Sequence, residues 1–233
     1  MKIDPTMPEN TIFYDRTCPM CRWYTREFIR FRLLDEAGRV SFSDMKATGL
    51  DCRIDLERGR NEIPLVDHVS GRTLYGVDAM VHLLKRKLPW LPKFAAFAPM
   101  NWFVRRLYKF VSYNRRTIAP SVKTPVPFDC TPDFNWTYRL LYLALAFAFS
   151  AWLLPTPLLF FVLGGLAAPF WSSHLEDRME WLGQMATILF VGTLLFLPLG
   201  GLGTLAVLLV GGFMSWDLWR RARIFRLNLD ENP

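Results

Sequence analysis

Charged and hydrophobic positions are distributed very unevenly along this chain of 233 residues. Charged side chains are frequent in the first part, whereas residues 140–173 and 181–216 contain no Asp, Glu, Lys or Arg. A helix needs roughly 20 apolar residues to cross about 30 Å of hydrocarbon, so each uncharged block is too long for one span. The pattern predicts a polar N-terminal domain followed by a helical membrane region, and it excludes a single soluble domain.

Proline and glycine interrupt both uncharged blocks, at Pro155-Thr156-Pro157 and at Pro198-Leu199-Gly200-Gly201-Leu202-Gly203. Both residue types disfavour a continuous helix. We therefore expect four short transmembrane helices arranged as two hairpins, at residues 137–154, 157–173, 181–197 and 201–218. Each is close to the lower length limit of a span, so buried or re-entrant hairpins that do not cross the bilayer are the alternative.

The first part of the chain shows the patterns of short strands and helices. Residues 11–14 read as a strand, and a helix follows with apolar residues at helical spacing. Residues 39–43 predict a second strand, residues 65–69 and 73–75 a hairpin across Ser70-Gly71, and residues 77–88 a further helix. This order is typical of a thioredoxin-like α/β domain.

Two cysteines stand between the first strand and the first helix, in the sequence Cys18-Pro19-Met20-Cys21. Pro19 suits the first helical turn, where its missing N–H would have no partner. Cys18 then lies at the helix N-terminus, where backbone N–H groups and the positive dipole favour a thiolate, and Arg16 and Arg22 are close in sequence. Cys21 lies one turn later and is placed to resolve a mixed disulfide. The spacing therefore predicts a redox pair.

A Cys-x-x-Cys motif is also half of a zinc site, and unreactive structural cysteines are a third interpretation. The other cysteines, Cys52 and Cys130, do not form a second closely spaced pair, and the three histidines are scattered. We expect no bound metal, a surface thiol at Cys52 and a bystander at Cys130. Asp15 is expected either to cap the turn before the helix or to act as a proton acceptor near the pair.

Residues 11–118 resemble the DCC family of thiol-disulfide oxidoreductases, named for an Asp-x-x-Cys-x-x-Cys core. The core stands here as Asp15-Arg16-Thr17-Cys18-Pro19-Met20-Cys21, and the likeness continues through residues 71–79 and 89–116. Arg16 replaces the glycine that usually follows the aspartate. The resemblance implies a thioredoxin-like fold and a Cys18/Cys21 redox couple. It also places Pro64 where such folds hold a proline, often cis, that aligns the substrate chain.

The positive charge lies in the first part, where residues 1–135 hold 22 Lys and Arg against 15 Asp and Glu. Residues 102–116 combine basic and aromatic side chains, which suits either anionic lipid headgroups or packing on the redox domain. No recognised nucleic-acid motif accompanies this charge. The positive-inside rule, applied to the basic segments on either side of the spans, predicts cytoplasmic termini and a cytoplasmic redox domain. Residues 1–10 contain no apolar run typical of a signal peptide.

The predicted organisation is a redox domain at 1–118, a proline-rich linker at 119–135, a transmembrane region at 136–219 and a basic tail at 220–233. The predicted function is that of a multi-pass inner-membrane thiol-disulfide oxidoreductase acting on protein or glutathione disulfides. It uses Cys18 and Cys21, supported by Asp15, Arg16, Pro19 and Pro64, with no cofactor other than glutathione as a co-substrate. The alternative is a non-enzymatic membrane protein whose thioredoxin-like domain binds a partner or senses redox state.

Overall fold

A computed structural model describes residues 8–122, 132–159 and 175–230 of the chain. The chain divides into two compact units, which we call the N-terminal unit and the helical unit. The N-terminal unit comprises Met1–Tyr113 and Thr124–Asp133, and the helical unit comprises Asn114–Lys123 and Phe134–Pro233. The division falls inside one helix, whose last turn belongs to the helical unit.

The N-terminal unit contains a four-stranded mixed sheet with helices. Its elements in chain order are β1 (Asn10–Tyr14), α1 (Pro19–Arg30), β2 (Arg39–Ser41), α2 (Leu56–Asn61), β3 (Pro64–Asp67), β4 (Thr73–Tyr75), α3 (Gly76–Leu84), α4 (Leu91–Ala96) and the larger part of α5 (Ala98–Ile118). The strand order is β2-β1-β3-β4, with β2 parallel to β1 and the other two pairs antiparallel. This architecture is consistent with the predicted thioredoxin-like α/β domain.

Hydrophobic side chains pack on both faces of this sheet. Ile12 and Leu65 belong to one cluster, with residues of α1 and α3 that include Phe28. Phe13 and Val66 belong to a second cluster, formed with Phe42, Met45 and Ile54. Successive residues of a strand point to opposite faces, so one strand supplies both clusters. The sheet is therefore covered on both faces by hydrophobic side chains.

The predicted strands and helices are present, but several end earlier than expected. The strand predicted at residues 39–43 ends at Ser41, because a 3₁₀ helix, Phe42–Thr48, begins there and the Ser41 hydroxyl accepts a hydrogen bond from the Ser43 N–H. The strand predicted at 65–69 ends at Asp67, whose carboxylate accepts the Val69 and Ser70 N–H groups and turns the chain. The helix predicted at 77–88 covers Gly76–Leu84.

The helical unit contains α6 (Trp136–Leu153), α7 (Thr156–Leu159), α8 (Leu175–Leu199) and α9 (Thr204–Asp230). Its apolar core includes Trp181, Met185, Leu189, Val210 and Met214. Both predicted helix breaks are present, but the second begins after Pro198, which lies within α8. The first helix ends before Pro155, and α8 ends in a 3₁₀ turn, Gly200–Leu202, that leads to Gly203 with a φ of 58°.

Among the residues described, one helix is long and apolar enough to cross a membrane, Leu175–Leu202. It corresponds to the third predicted span, and the expectation of four such spans is not supported. The helices α6 and α9 occupy the first and fourth predicted positions, but they carry buried charged residues, Arg139 in α6 and Asp217 and Arg221 in α9. The second predicted span falls mostly on residues outside the described ranges.

Two other predicted segments are described only in part. The proline-rich linker predicted at 119–135 includes residues 123–131, which lie outside the described ranges. The basic tail predicted at 220–233 continues α9 as far as Asp230. The predicted domain boundaries stay predictions.

Candidate active site

The candidate site is built around Cys18 and Cys21 at the start of α1. Cys18 is the N-cap residue of this helix and has an extended backbone, and Pro19 occupies the first turn, as predicted. The Cys21 backbone N–H donates to the Cys18 Sγ over 3.5 Å. A cysteine sulfur therefore takes the place that a serine or aspartate oxygen usually holds at a helix N-terminus. Negative charge on this sulfur is stabilised by the Cys21 N–H, which has no carbonyl partner within the helix.

Tyr24 and Thr25 complete the surroundings of the second cysteine. The Tyr24 hydroxyl donates to the Cys21 Sγ over 3.6 Å, and the Thr25 hydroxyl donates to the Cys21 carbonyl oxygen over 2.7 Å. Residues three and four positions apart share a helix face, which explains both contacts. Sequence reasoning did not single out Tyr24. A tyrosine three positions after the second cysteine was the available signal.

Both cysteines are nearly inaccessible, since Cys18 is 2% and Cys21 is 3% exposed. Pro19, between them, is exposed. A disulfide substrate must approach one sulfur in line with its own S–S bond, so exchange at Cys18 requires the groups around it to move. Burial is thus the main restriction that the fold imposes on this pair.

Asp15 and Arg16 shape the loop that carries Cys18. The Asp15 Oδ1 accepts hydrogen bonds from the Thr17 N–H (2.8 Å) and the Thr17 hydroxyl (2.7 Å), which closes a turn directly before the cysteine. This geometry favours the turn-capping role over the proton-acceptor role. Arg16 forms an exposed ion pair with Asp44 over 2.8 Å. Its guanidinium is therefore shared with a carboxylate, a contact that sequence reasoning did not anticipate.

Pro64 begins β3, at the same end of the sheet from which the Cys18 loop departs. Ile12 pairs with Leu65 in antiparallel register, so the start of β3 is adjacent to the end of β1. The residue before the proline, Ile63, donates its N–H to the Tyr108 hydroxyl oxygen (3.0 Å) and accepts the Gly76 N–H (2.9 Å) at its carbonyl. The Ile63–Pro64 bond is trans. Substrate alignment by this segment stays a prediction, and it requires these internal hydrogen bonds to be exchanged.

Helix α5 packs on the N-terminal unit through polar contacts. Arg105 donates to Asp78 over 2.6 Å, and the Ser112 hydroxyl donates to the Asn61 carbonyl oxygen over 2.5 Å. These contacts agree with the interpretation in which the basic, aromatic segment 102–116 packs on the redox domain. Trp102 and Phe103 of the same segment stay more than half exposed.

A polar cluster stabilises the hairpin at the opposite end of β3 from Pro64. Burial raises the pKa of Asp67, but hydrogen bonds from Ser70 and Val69 outweigh this effect and leave its pKa below the ordinary value. The His82 ring lies 3.7 Å from the Asp67 carboxylate, and burial is the main cause that lowers the pKa of this histidine.

Cys52 is exposed, as predicted, and Cys130 lies outside the described residues. No group of three or more potential metal ligands occurs within the described ranges.

The comparisons with known proteins bear on the same part of the chain. Residues 12–120 match the model of the DCC1-like thiol-disulfide oxidoreductase family. The match covers all of the sheet except the first two residues of β1, and it includes the two cysteines, Pro64 and helix α5. No curated protein and no solved structure matches the chain. The family match supports a thiol-disulfide oxidoreductase role for the N-terminal unit.

Proposed function

We propose that this protein is a membrane-anchored thiol-disulfide oxidoreductase that uses the Cys18-Pro19-Met20-Cys21 segment as its redox pair. The observation that carries the proposal is the position of Cys18 as the N-cap of α1, with the Cys21 N–H donating to its sulfur. Helix N-termini lower the energy of a thiolate, which is the attacking form in disulfide exchange. This geometry lies in the segment that matches the oxidoreductase family.

In the proposed reaction the Cys18 thiolate attacks one sulfur of a substrate disulfide. A bond forms between Cys18 and that sulfur, and the other substrate sulfur leaves as a thiolate that takes up a proton. The Cys21 thiolate then attacks the Cys18 sulfur, which releases the second substrate thiol and leaves a Cys18–Cys21 disulfide. Two electrons pass from the protein dithiol to the substrate, and the two protons of the dithiol end on the released thiols. Two equivalents of an external thiol, glutathione among them when the substrate is a protein disulfide, then restore the dithiol and are oxidised to their own disulfide.

The proposed location is the inner membrane, with the N-terminal unit and both termini in the cytoplasm. The apolar helix Leu175–Leu202 and the arginines near the end of the chain support it. Cytoplasmic glutathione and thioredoxin keep thiols reduced, so reduction of disulfides or of glutathione adducts is the proposed direction. The proposed substrates are protein or glutathione disulfides.

The burial of both sulfurs favours a second candidate, in which the unit senses redox state or binds a partner without turnover. The two candidates differ in the reaction of a small disulfide. An oxidoreductase reduces it repeatedly in the presence of a thiol reductant, whereas a binding or sensing module does not.

The test uses the purified full-length protein in detergent, equilibrated in a graded series of glutathione redox buffers. Thiols are alkylated and followed at Cys18 and Cys21 by mass spectrometry. The proposal predicts a reversible two-electron couple between these two residues, faster alkylation of Cys18, and loss of disulfide reduction in Cys18→Ser. Cys52→Ser is the matched control and should retain the activity. Undiminished turnover in Cys18→Ser, or a pair that never forms a disulfide, would show that the assignment is wrong.

A further inference from the structure

The N-terminal unit contains a groove of about 400 Å³ that the proposed reaction does not yet use. Helix α5 lines it with Trp102, Arg106, Tyr108 and Lys109, and Glu62, directly before Ile63, lines it from the other side. We call it the basic groove. Its volume lies within the range of roughly 300–1,000 Å³ that is usual for small-molecule sites.

The basic groove has an excess of positive charge. Two of its cations have carboxylate partners, since Arg58 pairs with Glu62 over 2.9 Å and Arg105 pairs with Asp78 over 2.6 Å. Within the described ranges, Arg106 and Lys109 form no ion pair with a carboxylate. An anionic ligand would therefore meet two positive charges that the protein itself does not neutralise.

Aromatic side chains form the apolar part of the same groove. Trp102 is 62% exposed, and the Arg106 guanidinium carbon lies 5.7 Å from its ring centroid. A guanidinium held over an indole keeps its N–H groups available in a fixed fork, which suits a carboxylate. The basic groove as a whole therefore fits a ligand that carries both carboxylates and an apolar body.

The position of the basic groove connects it to the candidate active site. Tyr108 lines the groove, and its hydroxyl oxygen accepts the N–H of Ile63, the residue before Pro64. The start of β3 is adjacent to the end of β1, from which the Cys18 loop departs. The groove and the Cys18 loop are therefore connected through two neighbouring strands, which lie about 4.8 Å apart.

We infer that the basic groove selects small disulfides that carry carboxylates, of the size of a short peptide, as substrates of the Cys18/Cys21 pair. This inference rests on the proposed function and specifies its substrate class. Arg106 and Lys109 bind the carboxylates and Trp102 contacts the apolar body while the substrate S–S bond is presented to Cys18. The protein dithiol is oxidised to a disulfide, and one substrate disulfide is reduced to two thiols.

The inference is tested in single turnovers of the reduced full-length protein in detergent. The probes are three symmetric disulfides of similar size: the dianionic 3,3′-dithiodipropionate, the neutral bis(2-hydroxyethyl) disulfide and the dicationic cystamine. Each rate constant is divided by that of dithiothreitol with the same probe, which removes the intrinsic reactivity of the disulfide. We expect the dianionic probe to be preferred over the neutral one by about tenfold, because two exposed charge contacts are each worth a few-fold.

The variant Arg106→Glu/Lys109→Glu should abolish this preference. Lys46→Glu/Lys87→Glu is the matched control, because it changes the net charge by the same amount at exposed positions elsewhere in the unit, and it should retain the preference. A normalised ratio near one in the wild type, or an equal ratio in both double variants, would contradict the inference while leaving the proposed function intact. Failure of all three probes to react, with Cys18→Ser indistinguishable from the wild type, would contradict the proposed function itself.

A membrane surface is the other anionic partner that a basic, aromatic groove can contact. Flotation with vesicles of phosphatidylcholine and phosphatidylglycerol, using the same two double variants, separates the two cases. Vesicle binding lost in Arg106→Glu/Lys109→Glu together with an unchanged disulfide preference would assign the groove to lipid and overturn the inference. Loss of the disulfide preference with retained vesicle binding supports it.

Discussion

Polar contacts around the two cysteines and polar contacts in the helical unit differ in how far apart they lie along the chain. Near the cysteines, the hydrogen bonds of Asp15 with Thr17 and of Cys21 with Cys18 join residues two and three positions apart. In the helical unit, Arg221 donates to the Thr117 carbonyl oxygen across a separation of 104 residues. The first kind of contact follows from local backbone geometry, and the second exists only once the helices have packed.

The two kinds of contact also differ in what they stabilise. The local contacts shape one loop and one helix start. The contacts of Arg221 satisfy the last carbonyls of helix α5, at Thr117 and Ile118, and the same guanidinium pairs with Asp217 over 2.8 Å. Arg221 and Asp217 are each 3% exposed. Loss of the long-range contacts should therefore cost more stability than loss of the local ones.

The largest expected effect is that of Arg221→Met. This change removes one of the two ion pairs of Asp217, which keeps its contact with Arg220 over 2.6 Å. It also removes the charged donor from the Thr117 and Ile118 carbonyls, so the free energy of unfolding should fall by about 2–3 kcal/mol. Thermal and chemical unfolding of the full-length protein in detergent measure it. Arg223→Met, at an exposed position on the same helix, is the control and should cost less than about 0.5 kcal/mol. Equal losses in the two variants would show that the long-range contact has no special weight.

An intermediate effect is expected at Asp15, where charge and hydrogen-bonding capacity can be separated. Asp15→Ala removes the acceptor of both Thr17 hydrogen bonds and should lower the free energy of unfolding by about 1 kcal/mol. Asp15→Asn keeps an acceptor oxygen and should retain most of the stability and the exchange rate. Chemical denaturation and the pH dependence of disulfide reduction measure both. If Asn slows the reaction as much as Ala and alters its pH profile, Asp15 acts as a proton acceptor instead of a turn cap.

The smallest effect is expected for Tyr24→Phe. The Tyr24 hydroxyl donates to the reduced Cys21 sulfur, so its removal destabilises the dithiol relative to the disulfide. The reduction potential should become more negative by about 10–20 mV, since 30 mV corresponds to about 1.4 kcal/mol and hydrogen bonds to sulfur are weak. Equilibration with glutathione buffers measures the shift.

Tyr14→Phe is the matched control for this change, because the ring of Tyr14 stacks under the Arg39 guanidinium at 3.9 Å and its aromatic face is retained. It should leave the potential unchanged. A shift of the same size in both variants, or a shift toward positive values in Tyr24→Phe, would contradict the role assigned to the Tyr24 hydroxyl.

Local signals explain most of what sequence reasoning predicted correctly. Pro19 marks a helix start because the first N–H groups of a helix have no partner within it, so the missing N–H of proline costs nothing there. Cys18 is then the residue directly before the helix. The turn at Ser70-Gly71 is confirmed, with Gly71 at a φ of 70°, and glycine adopts that conformation without steric cost. Helix lengths were less predictable, since α8 (Leu175–Leu199) and α9 (Thr204–Asp230) both continue past the ends of the expected spans at 181–197 and 201–218.

The residue pattern was thus enough to predict the order of the strands and helices, the position of Cys18 at a helix N-terminus and the two breaks in the apolar region. These features depend on residues within a few positions of one another. Packing between distant elements places the Tyr108 hydroxyl against the backbone N–H before Pro64, buries both sulfurs and brings Arg221 to the end of a helix 103 residues earlier in the chain. Such contacts depend on how whole helices and strands pack. The residue types alone do not specify which distant side chains come into contact.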